Sequence, residues 1–95
     1  MVTEPETAEA AVPRLAAGVK FRYDAVRSSW VLLAPERLFQ PDEIAVEILK
    51  LVDGERDIGA IADALAARYS APRAQIAADV AALLLDLKQR GALRW

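Results

Sequence analysis

Ninety-five residues with a net charge of −2 and a pI near 5.1 allow one domain with one modest core, and leave little chain for a deep substrate cavity beside it. Apolar residues make up 55% of the chain, but twenty of them are Ala, so burial falls to twelve Leu, eight Val and five Ile, a helical composition. His, Cys and Asn are absent, which removes the Ser-His and Cys-His nucleophile arrangements and the usual zinc sites; the chain is expected to be no enzyme and to need no cofactor.

No apolar run approaches the ~18 residues of a membrane span, and Met1 to Glu6 has neither a basic start nor an apolar core, so it is not a secretory signal. The expected compartment is the cytoplasm, with no membrane partner. Residues 1–13 carry Glu4, Glu6 and Glu9 among Ala, Thr and Pro, with little to bury. They read as a disordered acidic tail or a linker remnant, ahead of a domain at 14–95.

Val19-Lys20-Phe21-Arg22-Tyr23 alternates apolar and basic residues, which predicts a strand with Val19, Phe21 and Tyr23 inward. Asp24 to Ser29 is a polar connection, and Trp30 to Ala34 is a second strand. Pro35 and Glu36 form a tight turn before a short third strand, Arg37-Leu38-Phe39-Gln40, which stops at Pro41. Asp42 then caps a helix with Ile44, Ile48, Leu51 and Val52 at helical spacing, closed by Asp53-Gly54. Asp57 caps a second helix whose inner stripe is Ile58, Ile61, Ala62, Leu65 and Tyr69; Gly59 in its first turn costs about 1 kcal/mol relative to Ala. After the break at Ser70-Ala71-Pro72, a third and longest helix turns Ile76, Val80, Leu83, Leu84 and Leu87 inward and ends at Gly91, with Leu93 and Trp95 folding back. The expected fold class is α+β: three short N-terminal strands followed by three helices.

A three-stranded sheet has two edges, and an edge offers unpaired N–H and C=O groups to an extended peptide. Four to five such bonds supply about 4–5 kcal/mol, whereas micromolar binding needs about 8 kcal/mol, so apolar pockets must add the rest. From spacing alone, an edge blunted by Pro35, Pro41 and Arg37 is the simpler reading. The second and third helices, with strands beside them, also resemble a winged helix-turn-helix. A nucleic-acid reader concentrates cations on its recognition helix, but here Arg73, Lys88 and Arg90 sit at the ends with Asp79 and Asp86 between. Nucleic acid is not an expected partner. The Ala-rich face at Ala77, Ala78, Ala81 and Ala82 leaves a dimerisation module as a further alternative.

Several blocks in order settle between these readings. Leu32-Leu33-Ala34-Pro35-Glu36-Arg37 is followed by Asp42 to Leu49, then Leu51-Val52-Asp53-Gly54, Ala66-Ala67-Arg68-Tyr69 and Ile76 to Val80, with a Leu-rich stretch ending at Gly91. Together they resemble the pyrroloquinoline quinone (PQQ) biosynthesis protein D family, PqqD, over about residues 14–95. The resemblance implies a winged helix-turn-helix-like peptide-recognition element and a peptide chaperone. It would bind a precursor peptide of a ribosomally made, modified product (RiPP) as an added strand. The peptide-binding residues it implies are Arg37, Leu38, Phe39 and Gln40, with a helix wall of Ile76, Val80, Leu83, Leu84 and Leu87. It further implies presentation of that peptide to a radical-SAM iron–sulfur enzyme that cross-links a Glu to a Tyr. Some members are fused to the oxidase that ends the pathway. Gln40-Pro41 departs from the more apolar continuation of the family pattern, which shortens the binding strand.

Overall fold

The computed structural model describes residues 9–95. Its elements are β1 (Arg14–Leu15), β2 (Lys20–Asp24), β3 (Ser29–Ala34), β4 (Arg37–Phe39), α1 (Glu43–Leu49), α2 (Ile58–Tyr69), α3 (Arg73–Gln89) and β5 (Leu93–Arg94). This is the expected α+β arrangement with two added strands. β2, β3 and β4 form an antiparallel sheet in that order, while β1 pairs with β5 in a separate ladder. The added pair joins residues near the two ends of the chain through Arg14↔Arg94 and Leu15↔Leu93. Two residues are too few to show an alternating pattern, which is why neither strand is visible in the sequence.

Local chemistry explains where the helices begin and end. The Asp42 carboxylate accepts from the Ala45 N–H at 2.8 Å and the Asp57 carboxylate from the Ala60 N–H at 2.7 Å, as N-caps do. α1 ends at Leu49, earlier than expected, because Leu51 and Val52 turn back onto the Ile48 and Leu49 carbonyls in a tighter turn. Gly91, at φ +85°, closes α3: its N–H reaches the Lys88 carbonyl and the Ala92 N–H reaches that of Leu87.

One continuous core joins Val19 and Leu32 from the sheet region to Ile48, Leu49, Ile58, Ile61, Leu65, Val80, Leu84, Leu87 and Leu93. Three residues expected inward lie outside it. Tyr23 is exposed, meeting Trp30 edge-on at the rim of the sheet, while Ile44 is 57% and Tyr69 44% exposed. Each stands at the end of its apolar stripe, and Ile44 and Tyr69 flank one hollow beside α3 instead of entering the core.

Residues 9–13 differ from the tail expected over 1–13, of which residues 1–8 lie outside the described residues. The Ile58 and Gly59 N–H groups at the start of α2 donate to the Ala11 and Glu9 carbonyls, each at 2.9 Å. Arg73 then grips the Glu9 carboxylate with two donors, at 2.7 and 3.0 Å, and also reaches Asp63 and the Gly59 carbonyl. A Cβ on Gly59 would lie 3.1–3.2 Å from Glu9. The glycine that weakens the helix therefore lets this stretch lie against it.

Candidate peptide-binding groove

β3 is central and β4 is an edge of its sheet. The Pro35-Glu36 turn joins the Ala34↔Arg37 pair, followed by Leu33↔Leu38 and Leu32↔Phe39. A two-residue hairpin loop makes the flanking pair the one that exchanges hydrogen bonds, and the pairs then alternate. By that alternation the N–H and C=O of Leu38 point away from β3, toward the open side. Continuing past the strand adds the Gln40 N–H, so a guest chain gains about three bonds, fewer than the four to five expected. At about 1 kcal/mol each these fall well short of micromolar binding. The apolar neighbourhood has to supply the difference.

That neighbourhood is a groove of about 360 Å³ between β4, α1 and the C-terminal half of α3. Leu38, Phe39, Gln40 and Pro41 form one side, Leu83 and Leu87 the other, with Leu32, Ala45 and Leu49 also lining it. Leu38 is 40% exposed although it is a large aliphatic residue. Asp42, Asp86 and Arg90 add polar groups. Arg37 donates to the Arg90 carbonyl at 3.2 Å, while its guanidinium lies 5.5 Å from the centre of the Phe39 ring. It therefore ties the edge strand to the negative end of α3, which is a structural use of the charge.

The nine residues expected at the site divide three ways. Leu38, Phe39, Gln40, Leu83 and Leu87 line the groove, and Arg37 braces it. Leu84 is 0% exposed and belongs to the core. Ile76 and Val80 line a different hollow, with Ile44 and Tyr69, and Val80 is itself a core residue at 1% exposure. A stripe at helical spacing shows which residues share a face, but α1 crosses that face and separates its two halves. Leu32, Pro41, Asp42, Ala45, Leu49, Asp86 and Arg90 also line the groove and were not anticipated. For Asp86 and Arg90 the signal was present: each is three residues beyond a predicted wall residue, and thus on nearly the same helical face.

Among the described residues no group of His, Cys, Asp or Glu could hold a metal ion, and no helix is long and apolar enough to cross a membrane. Residues 29–93 match the family model described as coenzyme PQQ synthesis protein D (PqqD). The chain belongs to that family. A PqqA binding protein of Rhodopseudomonas palustris (strain TIE-1) is 52% identical over 92 residues, 97% of this chain and 87% of that protein. A bifunctional coenzyme PQQ synthesis protein C/D of Methylorubrum extorquens is 49% identical over 82 residues, 86% of this chain and 22% of that longer protein. Among solved structures, the PqqD truncation of Methylobacterium extorquens PqqCD superposes with a TM-score of 0.78 at 45% identity, covering 97% of this chain and all of that one. It is described as a functional, stand-alone RiPP recognition element. PqqD from Xanthomonas campestris gives 0.61 at 39% identity, over 93% of this chain and 98% of that one.

Proposed function

We propose that this chain is a peptide chaperone of PQQ biosynthesis that binds the PqqA precursor as a strand added to β4 and presents it to the radical-SAM enzyme that modifies it. The observation that carries this reading is an open strand edge beside an apolar groove. The main-chain groups of Leu38 set the guest's direction and register, and Leu83 and Leu87 give its side chains a place to be buried. The relatives that bear the name PqqA binding protein support the choice of guest. The role is accessory and non-catalytic, and its place is the cytoplasm.

Two physical effects make such a chaperone useful. Holding one part of a peptide converts the enzyme's encounter with another part into a local event at raised effective concentration. A strand held by alternating main-chain bonds also has a fixed face and direction. The test is a titration of isotope-labelled protein with synthetic PqqA peptide. Amide shifts are expected at 37–40 and at Leu83, Asp86, Leu87 and Arg90, with Arg14, Leu15, Leu93 and Arg94 quiet. Shifts confined to the β1–β5 ladder would overturn the reading.

A further inference from the structure

The ladder of β1 with β5 carries a cross-strand pair of like charge. Arg14 and Arg94 are direct partners in it, so their side chains leave the same face about 5 Å apart. Both residues are exposed. Neither guanidinium has an ion-pair or side-chain hydrogen-bond partner among the described residues. Elsewhere the chain neutralises its arginines: Arg27, Arg56, Arg68, Arg73 and Arg90 are all ion-paired. The acids nearest this end leave the pair uncompensated. A Cβ on Gly54 would lie 4.0 Å from that of Arg14, but Asp53 on one side of it is held by Arg56 at 3.0 Å, and Glu55 on the other forms no ion pair among the described residues. A third cation, Lys88, lies 4.6 Å from the centre of the Trp95 ring. The pair opens onto a hollow of about 590 Å³ whose other lining residues are Ala11, Val12 and Trp95.

We infer that Arg14 and Arg94 form a binding site for the carboxylate side chains of an acidic peptide, which lies in this hollow against Val12 and Trp95. Like charges directly opposite each other on a sheet are destabilising, and in a ladder of two pairs only Leu15 and Leu93 are left to offset the loss. A local rule broken where the structure can least absorb it marks a place arranged for a ligand. One carboxylate between the two guanidiniums turns their repulsion into two charge-assisted contacts. The chain shows the same chemistry internally, where Arg73 takes the Glu9 carboxylate with two donors at 2.7 and 3.0 Å. The breadth of the hollow and its apolar lining suit a peptide better than a bare ion, because they also cover the groups that carry the carboxylate. No residue lines both this hollow and the β4 groove. The site therefore stands apart from the chaperone reading and does not depend on it.

The experiment titrates isotope-labelled protein with a capped Glu-Ala-Glu-Ala-Glu peptide and, separately, with inorganic phosphate, at constant ionic strength. The Nε–H signals of Arg14 and Arg94 are expected to shift saturably with the peptide, at about millimolar affinity. Tm should rise by a few degrees near saturation. Arg94→Glu is expected to bind the peptide about tenfold more weakly, and Arg14→Gln to weaken it in the same direction. Without ligand, the Tm of Arg94→Glu should equal or exceed that of the parent, because an opposite-charge pair replaces a like one. Arg94→Lys, which keeps the charge, should stay within about threefold of the parent. Absence of saturable shifts up to about 20 mM peptide overturns the inference. So does peptide binding by Arg94→Glu as tight as the parent's. A Tm several degrees lower in Arg94→Glu would make the pair a structural one and overturns it as well. Phosphate binding as tight as the peptide's would give the site to a free ion and overturns the acidic peptide as its occupant.

Discussion

At its N-terminal end α3 is tied down by polar bonds: Arg73 is committed to Glu9, Asp63 and the Gly59 carbonyl, and Glu9 to Val12 lie along the start of α2. At its C-terminal end the same helix turns Leu83 and Leu87 to a groove, across from a strand whose outer main-chain groups are directed away from the sheet. One end is satisfied within the chain, and the other keeps apolar surface and hydrogen-bonding groups side by side in the open. The difference shows where a small domain places strength and where it places recognition. Ion pairs between exposed groups add little individually, but at the α2 terminus the neighbouring chain also satisfies main-chain donors that would otherwise lack partners. At the other end, leaving such groups open is what makes binding possible.

Four substitutions would break or sharpen that contrast. Leu84→Ala removes a fully buried side chain and should cost about 2–5 kcal/mol, lowering Tm by about 10 °C or more in thermal unfolding. Its sequence neighbour should behave in the opposite way: Leu83→Ala is expected to shift Tm by only a few degrees and weaken PqqA peptide binding about tenfold in calorimetric titration. If Leu83→Ala behaves like Leu84→Ala, the groove wall is merely core. Gly59→Val puts a branched side chain where Glu9 lies and should destabilise by about 1–2 kcal/mol with peptide affinity unchanged, by denaturant unfolding and titration. The smallest effect belongs to Glu9→Gln. Hydrogen bonds from Arg73 hold the Glu9 carboxyl below its usual range. The stabilisation it gives is therefore present above the ordinary carboxylate pKa and fades as pH falls through the lowered value. The parent should lose more stability than Glu9→Gln between pH 7 and pH 3, and the two should converge at the acid end.

Much of this fold is legible before any coordinates, because it is written in caps and breakers. Asp42, Asp57, Pro35 and Gly91 each impose a local geometry whatever surrounds them. The ladder of β1 with β5 is not legible, since two-residue strands exist only through a partner distant in sequence. The site is half legible for the same reason. Spacing gathers Ile76, Val80, Leu83, Leu84 and Leu87 on one side of a helix, but where α1 crosses that side decides which of them face the groove, the hollow or the core. Glu9 to Pro13 illustrate the limit from the other direction. Their composition suggests no core, and their order comes from main-chain bonds to α2 and from Arg73, neither of which depends on hydrophobicity.

Leu38→Pro tests the central claim most directly. Proline removes the one N–H of β4 that points outward and leaves the pairs with β3 intact. With peptide affinity and thermal unfolding measured on the same sample, affinity for the PqqA peptide is expected to fall by about tenfold or more while Tm stays within a few degrees of the parent. A folded Leu38→Pro variant that binds the peptide as tightly as the parent would contradict strand addition at β4.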